Sequence, residues 1–218
     1  MMPFLFTGLA LFFLAGLLYS EIKAQRCGIL ATKPAASLLF VLTAVYVRPG
    51  PGGYGAVMLA GLVLCMAGDL FLIFSDRRKM FLAGLVSFLL GHLAYAAAFW
   101  SLGRFSWPAA TGLIGLALAG FRIHAWLKPG LGRMNRPVIA YIVVISIMVA
   151  ASLSLALNDG LDREMRLLVP LGAALFYLSD LFVARNQFLK QQTANRLFGL
   201  PLYYTAQFLL AFSTAFAG

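Results

Sequence analysis

With 62% hydrophobic residues, only 11% charged residues and a mean hydropathy of +0.90, this 218-residue chain cannot assemble a water-soluble surface. Its formal charge of +10 does not signal nucleic acid, because the cations sit in short turns between apolar runs and form no basic face. Cys27 and Cys65 supply neither a disulfide framework nor a metal-ligand spacing.

Taken in order, the apolar runs are long enough to cross a ~30 Å hydrocarbon core at about 1.5 Å per residue. They predict an all-α polytopic membrane protein, a bundle of eight transmembrane helices near 2–20, 33–47, 54–74, 80–100, 108–127, 137–157, 165–184 and 199–217, forming a single domain over 1–218. The first run has no positive charge ahead of it and is followed by further spans, so it reads as a retained helix and not a cleaved signal peptide. Thr32-Lys33-Pro34 reads as the start of the second helix, with proline in the first turn, where no backbone donor is lost. That places Lys33 at a helix entrance. Breakers mark the connections at residues 48–53, at Lys128-Pro129-Gly130 and at Asn158-Asp159-Gly160.

Of the 17 Lys and Arg residues, all but Arg48, Arg104, Arg163 and Arg166 flank the odd-numbered loops. The positive-inside rule puts those loops in the cytoplasm and both termini on the far side. Short loops without sorting segments point to an integral multi-pass protein of a bacterial cytoplasmic membrane.

The stretch from Gly68 to Tyr95 organises the chain. It carries Asp69 in one apolar helix, a basic turn at residues 77–79, and His92 in the next helix; Asp180 repeats the Asp-Leu-Phe pattern much later. An ionisable side chain in hydrocarbon costs several kcal/mol unless it faces protein or water, so both carboxylates are candidate functional groups. Helical phase groups further polar residues with small or aromatic neighbours. Gly84, Phe88, Gly91, His92 and Tyr95 share one stripe; Ala173, Tyr177, Asp180 and Ala184 share another; Tyr203, Tyr204 and Gln207 share a third. The plainer reading of each stripe is a packing seam whose polar groups tie helices together. The offset that aligns Asp69-Leu70-Phe71 with Asp180-Leu181-Phe182 also aligns His92 with Tyr203, as a parallel repeat of four helices would.

Standard catalytic motifs are missing: no Gly-x-Ser-x-Gly elbow, no His-Glu-x-x-His pair, no phosphate-binding glycine loop and no dinucleotide fingerprint. Two distant carboxylates and one imidazole do not make a metal site, so no metal or cofactor is expected. Ser87 is on a different face from His92, which disfavours a Ser-His nucleophile. What remains suits acid–base hydrolysis, or equally a small proton-coupled transporter or lipid or solute carrier with the carboxylates as proton relay. On the residues alone, transport is the favoured reading.

Five motifs tip the balance. Lys33-Pro34, Gly68-Asp69-x-x-Leu72, Phe81-x-x-Gly84-x-x-x-Phe88-x-x-Gly91-His92-x-x-Tyr95, Tyr177-x-Ser179-Asp180 and Tyr203-Tyr204-x-x-Gln207 together resemble the lysoplasmalogenase, or YhhN-like, family of eight-helix membrane proteins. The resemblance implies hydrolysis of the vinyl-ether bond of lysoplasmalogens to a fatty aldehyde and glycerophosphoethanolamine or glycerophosphocholine. Its implied partners are a lysophospholipid substrate and bilayer lipid, with no nucleic acid. On that footing Asp69 and Asp180 are the expected catalytic pair, one acting as acid and the other staying ionised. Lys33 is expected to bind the substrate phosphate or to tune a carboxylate. His92, Tyr95, Tyr177, Tyr203, Tyr204 and Gln207 are expected to position substrate.

Overall fold

The computed structural model describes residues 2–47, 53–103 and 107–216. Within them the chain forms α-helices α1 (Met2–Ile22), α2 (Arg26–Tyr46), α3 (Gly53–Leu72), α4 (Arg78–Leu102), α5 (Trp107–Leu131), α6 (Asn135–Ala156), α7 (Arg163–Phe188) and α8 (Thr193–Ser213). Short 3-10 turns lie at Gly132–Met134 and Thr214–Phe216. Among the described residues, six stretches are long and apolar enough to cross a membrane: α1 to α4, a continuous Ala109–Ala156 stretch across α5 and α6, and α7. In α8, Asn195, Arg196, Tyr203, Tyr204 and Gln207 dilute the apolar run. Large apolar side chains such as Phe12 and Phe121, each 72% exposed, cover the outside of the bundle. Such a surface is stable only against lipid, so the chain is a multi-pass membrane protein.

Two expected boundaries are corrected. The second helix begins at Arg26 and not at Lys33: the chain turns at Ala24, whose φ is 52°, and Gln25 is extended at the N-cap. Lys33 and Pro34 therefore lie inside α2, not at its entrance. Proline within a buried span is tolerated where neighbouring helices re-satisfy the freed backbone, and the lysine is held there by a charge described below. Similarly, α5 runs straight through Lys128-Pro129-Gly130. The reversal comes at Gly132, whose φ is +47°. Gly130 serves a close approach instead, since a Cβ there would stand 1.7 Å from the carbonyl oxygen of Phe188. The turn expected at Asn158-Asp159-Gly160 is present: the Asn158 Oδ1 accepts the Gly160 N–H at 3.1 Å, and its Nδ2 donates to the Leu102 carbonyl at 3.0 Å. Residues 48–52 of the expected turn at 48–53 lie outside the described residues.

Glycines bring α3 and α4 together. Gly61 and Gly68 on α3 receive the rings of Tyr95 and Phe88, while Gly84 and Gly91 on α4 receive Leu72 and Cys65. A Cβ at Gly61 would lie 2.4 Å from the Tyr95 ring, so the seam closes only without side chains there. This backbone proximity carries Asp69 and His92 into the middle of the bundle.

The helix pairings of the first half recur in the second. The pairs α1/α2, α2/α3 and α3/α4 have counterparts in α5/α6, α6/α7 and α7/α8, and α2 packs on α8 as α6 packs on α4. The two Asp-Leu-Phe segments therefore occupy equivalent helices, α3 and α7.

Candidate functional site

Asp69 lies one turn from the end of α3 and is 2% exposed. Lys33, on the buried face of α2, brings its Nζ to 3.3 Å from Asp69 Oδ1. Ser37, one turn further along α2, donates its hydroxyl to Asp69 Oδ2 at 2.7 Å. Tyr203 of α8 donates to the same oxygen at 2.6 Å. A buried carboxylate is tolerable only when paired and hydrogen-bonded, and three groups from two other helices meet that demand.

The network continues outward from Tyr203. Its oxygen accepts the Gln207 amide N–H at 3.1 Å, and the Gln207 carbonyl accepts the Tyr95 hydroxyl at 2.8 Å. The Tyr204 hydroxyl lies 3.2 Å from Ser37 Oγ and donates to the Lys33 carbonyl at 3.3 Å. Six of the nine candidate residues, Lys33, Asp69, Tyr95, Tyr203, Tyr204 and Gln207, thus form one connected array.

Asp180 sits in a different setting. Tyr141 of α6 donates to its Oδ2 at 2.6 Å, and His92 Nε2 lies 4.0 Å from the same oxygen. His92 is fully buried, its ring edge-on to Phe176 at 4.5 Å and to Tyr141 at 5.3 Å, and among the described residues neither of its nitrogens has a hydrogen-bond partner. Among the described residues, no lysine or arginine pairs with Asp180. The asymmetry is chemical: one carboxylate has a cation and two hydroxyl donors, the other a single tyrosine.

Both carboxylates open onto one cavity of about 200 Å³, lined as well by Lys33, Tyr141, Tyr177 and Tyr203. Its walls are otherwise largely apolar, with Leu85, Phe88, Ile142 and Ile145 among them. His92, Tyr95, Tyr204 and Gln207 stand behind this wall and reach the space only through the residues they hold. Tyr177, by contrast, faces it.

Sequence reasoning missed Ser37 and Tyr141, which with Tyr203 are the hydroxyl donors to the carboxylates, and also Glu21 and Arg196, an ion pair between α1 and α8 that lines the same cavity. Ser37 could have been found one turn after Lys33, on its face. Tyr141 could have been found as the lone hydroxyl in the apolar run of residues 137–145.

The fold and cavity define a helical membrane protein with a two-carboxylate site buried among its helices. More narrowly, the chain belongs to the YhhN family, whose model matches residues 28–214. It is 32% identical over 198 residues to lysoplasmalogenase TMEM86A of Bos taurus, covering 90% of this chain and 72% of that protein. The human lysoplasmalogenase TMEM86A is 33% identical over 200 residues, with the same shares of 90% and 72%. A lysoplasmalogenase of Mycobacterium bovis is 28% identical over 175 residues, covering 78% of this chain and 63% of its own length. No solved structure matches the chain significantly.

Proposed function

We propose that this protein is a lysoplasmalogenase, a membrane hydrolase that cleaves the vinyl-ether bond of a one-tailed plasmalogen to a fatty aldehyde and a glycerophospho head group. Its lysoplasmalogenase relatives support the reaction. The observation that carries the mechanism is the shared cavity, in which a charge-paired Asp69 and a cation-free Asp180 face the same space.

In this reading Asp180 is the proton donor. It delivers a proton to the alkene carbon distal to the ether oxygen, and the electron pair of the double bond forms the new C–H bond. The adjacent carbon becomes an oxocarbenium ion, which the negative charge of Asp69 stabilises at short range in a low-dielectric site. Water adds to that carbon and gives a proton to Asp180, now a carboxylate, so the acid is restored. The resulting hemiacetal collapses as a proton passes from its hydroxyl to the ether oxygen, releasing aldehyde and glycerol hydroxyl. One water is consumed, and the same two-carboxylate logic serves glycoside hydrolysis. Lys33, Ser37 and Tyr203 keep Asp69 anionic and oriented; Tyr141 orients Asp180. Tyr95, Tyr204 and Gln207 act through Tyr203 and Ser37, His92 packs Tyr141, and Tyr177 contacts the substrate directly.

The same reading takes the chain as one transmembrane unit in which all eight helices cross the bilayer. Its basic turns face the cytoplasm and both termini the far side, and the short turns suit a bacterial cytoplasmic membrane. The cation distribution supports that orientation. The rival reading, a proton-coupled carrier, uses the same carboxylates as a relay. Reconstituted protein offered an alkenyl lysophospholipid separates them: fatty aldehyde release is expected, whereas counterflow of intact solute without aldehyde would establish the carrier.

A further inference from the structure

The cavity has a second charged end. Glu21, in the last turn of α1, and Arg196, in the first turn of α8, form an ion pair, and both line the space shared by Asp69 and Asp180. The Glu21 side chain is 8% exposed while that of Arg196 is 37% exposed, so the arginine side chain remains partly reachable. The cations among the described lining residues are Lys33 and Arg196, and Lys33 is occupied by Asp69 at 3.3 Å. Both cations are paired, but the Arg196 side chain is 37% exposed against 10% for Lys33, so Arg196 is the one a phosphate entering this cavity can reach, in exchange for Glu21.

Spacing along α8 fits that use. Arg196 precedes Tyr203 by two helical turns, which places both on one face about 10 Å apart. Tyr203 holds Asp69, so the helix sets the distance from the ion pair to that carboxylate. The glycerol and phosphate of a one-tailed phospholipid span a comparable length. Resting on the vinyl-ether reading above, we propose that the Glu21–Arg196 pair is the head-group subsite: Arg196 receives the phosphate and Glu21 the terminal ammonium of a zwitterionic lysophospholipid.

The pair is itself a zwitterion, so the head group replaces each partner's counter-charge when the two side chains part. Arg presents two parallel N–H donors to phosphate, a geometry lysine lacks. A primary ammonium donates hydrogen bonds to a carboxylate and a trimethylammonium does not, so ethanolamine is preferred over choline.

The test compares substrates that share one alkenyl chain but differ in head group: alkenyl-glycerophosphoethanolamine, alkenyl-glycerophosphate and alkenylglycerol. Arg196→Gln is expected to lower kcat/KM for both phosphate-bearing lipids, relative to alkenylglycerol, by roughly ten-fold or more, the size of a lost charge-assisted hydrogen bond. Glu21→Gln is expected to lower that ratio only for the ethanolamine lipid. Because each ratio is taken within one preparation, the fraction of folded enzyme cancels, and Arg196→Lys, which keeps the charge but not the fork, is expected to fall between. If each variant lowers all three substrates in proportion, the pair is a structural clasp and the subsite is wrong. Binding of a saturated ether lysophosphoethanolamine, measured by calorimetry on the same proteins, separates this proposal from the reaction itself. Arg196-dependent binding without aldehyde release would keep the subsite and remove the hydrolase, whereas binding indifferent to Arg196 would remove the subsite.

Discussion

Lys33 Nζ stands 3.3 Å from Asp69 Oδ1, across the α2/α3 interface, with both residues buried. The contact makes Lys33 the counter-charge of a carboxylate and takes it away from the substrate phosphate. Lys33→Met should therefore lower kcat far more than it raises KM. It should also destabilise the protein by about 3–5 kcal/mol, because Asp69 is left buried without its cation. Adding Asp69→Asn should return much of that stability, since neither charge then remains. Thermal unfolding in detergent alongside steady-state kinetics reads both effects, and a rise in KM at constant kcat would return Lys33 to the phosphate.

The membrane class, the helical fold and the two carboxylates were legible because hydrocarbon leaves so few options: polar residues in apolar runs stand out. The partners of those carboxylates were harder to read. Ser37 and Tyr141 are ordinary residues in a membrane helix until a carboxylate stands 2.7 Å or 2.6 Å away. The position of Lys33 within α2 was misjudged because proline at Pro34 normally marks a first turn, and here tertiary pairing overrides local preference. The sequence offset relating Asp69 to Asp180 and His92 to Tyr203 has a counterpart in space. Asp69 meets Tyr203 at 2.6 Å and Asp180 approaches His92 at 4.0 Å, each across the two halves.

Tyr203→Phe removes a donor from Asp69 and leaves the Gln207 amide without its acceptor. About 1–3 kcal/mol of stability should be lost, with a clear fall in kcat. Tyr95→Phe leaves the Gln207 carbonyl unpaired instead, one step further from the carboxylate. Its stability loss should be similar and its effect on kcat smaller. Equal kinetic effects in both variants would place the network's role in packing alone.

Gly61→Ala should loosen the α3/α4 seam, because the new methyl would meet the Tyr95 ring at 2.4 Å in a fully buried place. Overpacking of this kind costs about 1–3 kcal/mol, read as a lower Tm. Gly115→Ala provides the control. Nothing lies within 4 Å of its Cβ position, so helix propensity should leave stability unchanged or raise it by up to about 1 kcal/mol.

Orientation is open to cysteine labelling after Cys27, which is exposed, is replaced by serine; Cys65 is buried and can stay. Cysteines at Arg78 and Arg133 should react from the cytoplasmic side, and one at Gly160 from the opposite side. Labelling of the Gly160 position from the cytoplasm in intact cells would invert the assignment.

Asp69→Asn and Asp180→Asn should each abolish most aldehyde release while leaving a folded protein that still binds an ether lysolipid. Asparagine keeps the shape and part of the hydrogen bonding, but it neither donates a carboxylic proton nor carries the negative charge. General acid–base groups contribute roughly 10²–10⁴-fold, so losses of at least that order are expected. Groups acting as one unit are non-additive, and the double variant should be little worse than either single one. The pH profile separates the roles. An essential acid fails as pH rises and it loses its proton, so Asp180→Asn should flatten the alkaline limb of kcat/KM. An essential anion fails as pH falls and it gains one, so Asp69→Asn should flatten the acidic limb, the apparent values belonging to the coupled pair. Exchanged limbs would exchange acid and anion between the two residues. Near-full turnover in either variant would make that carboxylate structural and end the two-carboxylate mechanism.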